Sequence, residues 1–311
     1  MTRSTLLSEL DKVEQIATAS KISRMLVRPF RYGHAILFRE LVYKINKQAK
    51  EVFCQTFFGQ HMHVLLPSST DIYLTGGKSH GSEIRLARLL IHILNEGDIF
   101  IDAGAHYGYF SLLAAGLVGS RGKVHAFEAA PATFEILQKN SAAEGNITAH
   151  HLALSDRDTE MVFYEFPNQY AEYNTLDIKQ FQNKSWIGEN PPREYRVQAV
   201  SLDGFLEKEG LYPTLIKIDV EGAEYQVIQG FRTLLLSSNP IVVMEYLLGT
   251  HSNGVYARAE AFLASLGYLP FAIETDGTLL PIESAERWMS EMKIASDNIV
   301  FRKEPGNAGS D

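Results

Sequence analysis

The stretch "IFIDAGAHYGYF", Ile99 to Phe110, limits the fold more than any other part of the chain. A short apolar run leads into two glycines four apart, Gly104 and Gly108. Apolar residues then return at helical spacing in "YFSLLAAGLVG". A strand that turns tightly into a helix is half of a crossover unit, and such units assemble into a parallel sheet with helices on both faces. The rhythm repeats: "GKVHAFEA", "ITAHHLALS", "PTLIKIDVEG" and "PIVVMEY" read as strands. "PATFEILQKNSAAEG", "AEYQVIQGFRTLL" and "RAEAFLASLGY" read as the helices that follow. "LPFAIETDGTLLPI" reads as a hairpin around Asp276-Gly277, and "NIVFRK" as a last strand. The expected fold is α/β: a three-layer Rossmann-like sheet, mostly parallel, with an antiparallel C-terminal hairpin.

The main domain is expected over residues 81–303, opening with a helix in "GSEIRLARLLIHIL". Its parallel rhythm fails over 160–200, where "MVFYEF" and "YRVQAVSL" read as antiparallel strands around a polar insertion from Pro167 to Arg193. Residues 1–80 are expected to form an N-terminal α/β extension, helices first and short strands after. Residues 304–311 read as a disordered tail. No apolar run approaches the ~20 residues of a spanning helix. The polar, acid-bearing start "MTRSTLLSELDKVEQ" does not read as a signal peptide. The single cysteine, Cys54, excludes an internal disulfide and fits a reducing compartment, so the expected location is cytoplasmic.

A net charge of −8 argues against nucleic acid as a partner. The charge is uneven, however. Lys21 to Lys50 holds eight basic residues and one acid, Glu40, which leaves −15 on the remainder. Met25, Leu26, Phe30, Leu37 and Leu41 are interleaved with these bases. A basic amphipathic segment of this kind suits peripheral contact with an anionic membrane through residues 21–50. The plainer alternative is helices docked on the main domain with their charged face in water. Pro29 and Gly33 are expected to divide the segment into two helices.

The turn after Asp102 can be tested against known ligands. A dinucleotide fold requires Gly-x-Gly-x-x-Gly. With Gly104 first, the second glycine position is His106; with Gly104 second, the first position is Asp102. Neither register fits, so a nicotinamide oxidoreductase is the weaker alternative. An acid at 102 repels phosphate and suits a cation, such as the sulfonium and amino group of S-adenosylmethionine. Glu128 closes the next strand, where an acid accepts the protons of two ribose hydroxyls. Its simpler role is a charge at the start of the helix beginning at Pro131. "LALSD" places Ser155 and Asp156 at the end of the third strand, either at the adenine edge or as a turn pair.

Several runs between Asp98 and Tyr268, in order, resemble the FkbM family of S-adenosylmethionine-dependent methyltransferases. They are "IDAGAHYGYFSLLAAGLVGSRGKVHAFEAAPATFEILQKN", "ALSD", "VSLDGFL", "IKIDVEGAEYQVIQG" and "PIVVMEY". "KIDVEGAE" is the most family-specific piece. Where the family usually has Gly-Ala-Asn, this chain has Gly104-Ala105-His106. The resemblance implies a class I methyltransferase fold and O-methylation, often of sugars or secondary-metabolite hydroxyls. It implies nothing about Met1 to Leu94. The expected cofactor site comprises Asp102, Gly104, Ala105, His106, Gly108, Glu128, Ser155, Asp156 and Asp219.

A sugar hydroxyl is a poor nucleophile and needs a base to take its proton. Asp219 ends the fourth strand, and Lys217 points to the same side by strand alternation. Glu221 and Glu224 are three apart on the following helix and can share a face. Glu245 ends the fifth strand, adjacent in the expected sheet order. Asp219, Glu221 and Glu245 are therefore expected to converge, with Asp219 and Glu245 flanking the acceptor. The plainer roles are a dipole charge for Glu221 and neutralisation of Asp219 by Lys217. His251, in "EYLLGTHSNG", is the alternative base. Acids so placed could also hold magnesium, although no distinct metal spacing is present. The loop "TGGKSHGSE" either closes over the cofactor, bringing Lys78, His80 and Glu83 near the substrate, or is a linker. The expected acceptor is a hydroxyl of a sugar, glycan or glycolipid precursor. The other alternative is a non-catalytic member of the same fold acting as a binding module.

Overall fold

The computed structural model describes residues 1–176, 178, 186–249 and 254–304. Helices α1 (Arg3–Thr18), α2 (Lys21–Val27) and α3 (Pro29–Leu37) run into a π-helical turn at Phe38–Tyr43 and a short α4 (Lys44–Asn46). Strands β1 (Lys50–Gln55) and β2 (His61–Leu66) pair antiparallel, and α5 (Thr70–Thr75) and α6 (Gly81–Ile93) follow. Then come β3 (Ile99–Ala103), α7 (Tyr109–Val118), β4 (Lys123–Phe127), α8 (Pro131–Ser141) and β5 (Ile147–His150). Strands β6 (Ala153–Ser155), β7 (Thr159–Glu165) and β8 (Arg193–Ser201) form a separate sheet in the order β6-β8-β7. The chain returns through α9 (Leu202–Glu209), β9 (Leu215–Ile218), α10 (Glu224–Gln229), α11 (Arg232–Ser237), β10 (Ile241–Leu247) and α12 (Val255–Ser265). It closes with the hairpin β11 (Leu269–Ile273) and β12 (Leu279–Pro281), α13 (Ala285–Met292) and β13 (Ser296–Arg302).

The main sheet has the order β12-β11-β13-β10-β9-β3-β4-β5. Strands β5, β4, β3, β9 and β10 are parallel, and β13 runs antiparallel between β10 and β11. The mostly parallel α/β sheet expected from the sequence is therefore present. The chain enters at β3, winds outward through β4 and β5, and returns to β9 on the other flank. Strand order reverses between β3 and β9, and that reversal opens a crevice at the carboxyl ends of the strands.

Burial on both faces explains why these strands are nearly continuous apolar runs. Phe100, Leu215, Val243 and Val300 pack on one side of the sheet; Ile101, Ile216, Val242 and Ile299 pack on the other. The first core continues into the N-terminal segment. Leu6, Leu10 and Val13 of α1, with Cys54, Met62 and Val64 of the β1–β2 hairpin, share it with Leu112 of α7. Arg88 of α6, itself buried, pairs with Asp11 and Glu14 at 2.6 Å each.

Three expectations need correction. "ITAHHLALS" is not one strand: β5 ends at His150, and β6 leaves the main sheet to pair with β8. "AEYQVIQGFRTLL" is two helices, parted at Phe231, whose φ of −133° leaves the helical region; the preceding Gly230 lies against the Ser155 carbonyl, where a Cβ would come to 2.0 Å from the oxygen. Gly33 sits inside α3; only Pro29, at the first turn of α3, marks the break from α2. Residues 305–311, expected to be a disordered tail, lie outside the described residues.

Candidate active site

The turn after β3 is built on Gly104. Its φ is +75°, and an added Cβ would lie 1.8 Å from the Asp219 carbonyl oxygen. Only glycine permits this contact, so the loop after β3 is pressed directly onto the loop after β9. His106 also has positive φ, +51°. Its backbone N–H donates to Glu128 Oε2 at 2.9 Å, and the Ala130 N–H donates to Oε1 at 2.8 Å. Two backbone donors thus set the orientation of the Glu128 carboxyl at the end of β4. Burial pushes that carboxyl up to about 7 despite them.

A cavity of about 1010 Å³ opens at these strand ends. Gly104, Ala105, His106 and Glu128 form one wall, and Leu152, Ala153, Leu154 and Phe163 a second. Asp219, Glu221 and Glu245 form a third. Lys78, His80 and Glu83 also border it, so the glycine-rich loop before α6 is part of the cavity wall. The volume suits a nucleoside-sized cofactor together with an acceptor group.

Other residues expected at the site lie elsewhere. Asp102 is 0% exposed. It sits in register with Lys217 across β3 and β9, accepts a 2.6 Å bond from the Ser111 hydroxyl, and meets Lys217 Nζ at 3.2 Å. The cation facing Asp102 is therefore internal, not a ligand. Gly108 heads α7 with φ +84° and packs close to Leu137, shaping the turn from behind the cavity wall. The Ser155 hydroxyl donates to Asp156 Oδ1 at 3.2 Å at the end of β6, next to Leu152, Ala153 and Leu154 of the cavity wall but not itself among the lining residues. His251 lies outside the described residues.

The acids do converge, with changes of detail. Asp219 follows directly after β9, but Glu245 lies two residues before the end of β10. Glu221 has φ +51° in the turn, not on the helix, and α10 begins only at Glu224. The Glu224 carboxyl accepts N–H bonds from Gly222 (3.0 Å) and Val220 (3.3 Å), stitching that turn. One oxygen each of Asp219, Glu221 and Glu245 lies within 4.8 Å of the others.

Burial, then the charges of Asp219 and Glu221, push Glu245 well above the usual carboxyl range. For Asp219 burial works upward, but the Lys217 ammonium, the hydrogen bond with Glu245 and Lys78 together hold it below that range. The proton affinities of the pair are thus pushed apart, with Glu245 the better proton holder and Asp219 the more readily ionised. Lys217 Nζ lies 3.4 Å from Asp219 Oδ2 and is 3% exposed. Burial lowers its pKa, but Asp102 and Asp219 outweigh burial and raise it. His106 is pushed down to about 3, by burial first and by Lys78 next, so its ring is neutral. Its Nε2 has no hydrogen-bond partner. A buried polar atom without a partner on a cavity wall fits a ligand contact.

Some site features had no local sequence signal. The Tyr107 hydroxyl lies 3.4 Å from the Ser68 hydroxyl and accepts from Asn168 Nδ2 at 3.0 Å. Three segments far apart in the chain meet there. Asp71 accepts the Ser79 N–H at 3.1 Å and borders the same cavity.

The reversal of strand order, the glycine turn on it and the clamped acid after the second strand define the class: a doubly wound α/β enzyme of the class I methyltransferase type. Residues 102–270, more than half of the chain, match the Methyltransferase FkbM domain, and the chain belongs to that family. It is 29% identical over 188 residues to methyltransferase 1 of Beauveria bassiana, an alignment spanning 56% of this chain and 73% of that protein. It is 27% identical over 158 residues to the hexuronic acid methyltransferase AglP of Haloferax volcanii, spanning 50% and 59% of the two chains. The crystal structure of methyltransferase FkbM from Methylobacillus flagellatus superposes with a TM-score of 0.43 at 14% identity, covering 76% of this chain and 52% of that one. The chain thus spans less than two thirds of the length of the latter two. No helix among the described residues is long and apolar enough to cross a membrane.

Proposed function

We propose that this chain is an S-adenosylmethionine-dependent O-methyltransferase acting on a hydroxyl of a sugar, glycan or glycolipid precursor. The observation that carries the reading is the convergence of Asp219, Glu221 and Glu245, with Lys217 at 3.4 Å from Asp219, in the same cavity as the Gly104 turn and Glu128. Membership of the FkbM family supports methyl transfer and displaces the nicotinamide alternative. The likeness to AglP, named for a hexuronic acid, supports a saccharide acceptor.

The turn at Gly104, Ala105 and His106, with Glu128 for the ribose hydroxyls, would hold the cofactor. The unpartnered His106 Nε2 adds one polar contact. When bound, S-adenosylmethionine supplies an electrophilic methyl group on a positively charged sulfur. Asp219 takes the proton from the acceptor hydroxyl as its oxygen becomes nucleophilic. Glu245 donates its hydrogen bond to Asp219 and so keeps that carboxylate on its acceptor-facing geometry. Lys217, backed by Asp102, keeps Asp219 charged in a buried setting. Leu152, Leu154 and Phe163 keep water from the reacting atoms.

Magnesium held by Asp219, Glu221 and Glu245 is the second reading, favoured by the convergence of their oxygens. Lys217 already supplies positive charge at Asp219, which makes the metal-free version the stronger one. The test is tritiated-methyl transfer from S-adenosylmethionine into a panel of saccharide and lipid-linked acceptors, with calorimetry of the cofactor alone. Asp219→Asn and Glu245→Gln are each expected to lower transfer by about 100-fold or more while cofactor binding persists. Full transfer by both variants removes the assignment. Full transfer in excess EDTA removes the metal. Cofactor binding without transfer to any acceptor favours the binding-module alternative.

A further inference from the structure

Residues 22–45 carry the most exposed apolar surface of the described chain. Ten large apolar residues there are exposed, among them Phe30 at 90%, Ile45 at 82% and Leu26 at 74%. Only eight others are exposed in all the rest of the described residues, so exposed apolar surface is concentrated in this segment. Helix α2 has no buried residue at all. A seven-residue helix with no buried residue is marginal alone, so α2 rests on its Ser20 cap and its contacts with α1 and α3.

The same stretch holds the bases. Lys21, Arg24, Arg28, Arg31, Arg39, Lys44, Lys47 and Lys50 stand against one acid. That acid, Glu40, is held by Arg39 at 2.9 Å and by Lys44. The segment is nonetheless anchored. Ala35, Phe38 and Tyr43 are buried, Arg31 donates to the Tyr73 carbonyl at 3.1 Å, and the Tyr43 hydroxyl accepts the Gln169 N–H at 3.2 Å. The segment therefore presents exposed apolar side chains among bases such as Lys21, Lys44 and Lys47, on a protein otherwise carrying −15.

We infer that this face docks on an anionic lipid bilayer. The apolar side chains enter the headgroup boundary while the long basic stems reach the phosphates. Charge complementarity decides between occupants. A second copy bound through the same patch would set seven net positive charges against seven. Lysine is depleted in the cores of protein interfaces, whereas basic residues each add affinity for an anionic leaflet. The same segment reaches the cavity: Arg39 borders it, and so does Gln169, whose N–H bonds to Tyr43. Docking thus places the cavity beside the lipid surface. The inference does not depend on methyl transfer.

The experiment is flotation of the full chain with phosphatidylcholine vesicles and with vesicles containing 30% phosphatidylglycerol, at low and high salt. We expect binding to the anionic vesicles only, weakened by salt. Leu26→Glu with Phe30→Glu is expected to reduce it by about tenfold or more. Lys21→Glu with Lys47→Glu is expected to reduce it while leaving the apolar residues in place. Both double variants are checked for unchanged thermal midpoint and unchanged S-adenosylmethionine calorimetry, so that loss of docking is separated from loss of fold or of the cofactor site. No flotation with anionic vesicles overturns the inference. So does equal flotation with neutral ones. A dimer in sedimentation velocity that Leu26→Glu with Phe30→Glu dissolves assigns the face to a second copy and overturns it as well.

Discussion

The mouth of the cavity and the outer face of the N-terminal helices both bring acids and bases together, and they do so under opposite solvation. At the mouth, Lys217 and Asp102 are almost wholly buried and lie 3.2 Å apart. On the outer face, Arg39 and Lys44 hold Glu40 with all three side chains open to water. Burial makes each unpaired charge at the mouth expensive, so partners there come in matched sets. Water makes the outer charges cheap to leave unmatched, so a surplus of cations can persist there and remain free for a partner. The difference teaches that proximity of charges says little until their exposure is known.

The comparison breaks most sharply at the seam between loops. Gly104→Ala forces a Cβ into the Asp219 carbonyl, and we expect a loss of more than about 4 kcal/mol, or no folded protein, in chemical denaturation. Lys217→Met leaves Asp102 buried without its cation, and we expect a loss of about 3–5 kcal/mol. Adding Asp102→Asn should restore part of it, because the stranded charge is then gone. If Lys217→Met is neutral, the mouth is wetter than the contrast requires.

A smaller effect sharpens the contrast through pH. The Glu128 carboxyl is pushed up to about 7 in the folded chain, above its ordinary 4.5. Between those values the folded state holds a proton that the unfolded state has released, so this group's contribution to stability falls as pH rises from 4.5 towards 7. Glu224, also pushed up to about 7, has the same sign. Thermal midpoints at pH 5 and pH 8 should therefore favour Glu128→Gln over the parent more at pH 8 than at pH 5. On the proposed role of Glu128 as acceptor for the ribose hydroxyls, cofactor binding should strengthen over the same interval. The smallest expected effect belongs to the outer face: Glu40→Gln should leave the thermal midpoint unchanged.

The sheet and its winding were legible because a strand covered on both faces is mostly apolar, and β3, β4, β9 and β10 are, with their few charges set toward the site or a strand end. The convergence of Asp219, Glu221 and Glu245 followed from strand-end positions alone. What escaped was set by neighbours remote in the chain. Nothing near Asp102 announces that Lys217, more than a hundred residues later, faces it in register. Nothing in "LALSD" announces that β6 deserts β5 for β8. Glu221 looked helical because its spacing to Glu224 suits a helix. Its left-handed backbone is imposed by the turn that Glu224 itself stitches.

The departure of β6 has a further consequence. Because β6, β7 and β8 hydrogen-bond to one another and not to the main sheet, the wall they lend to the cavity has a backbone ladder of its own, tied to the rest through Leu154 in the core. Phe163 of β7, which packs in its own small core with Val197 and Ala199, can be exchanged without disturbing a rung of the eight-stranded scaffold. An engineer wishing to admit a bulkier acceptor would begin there.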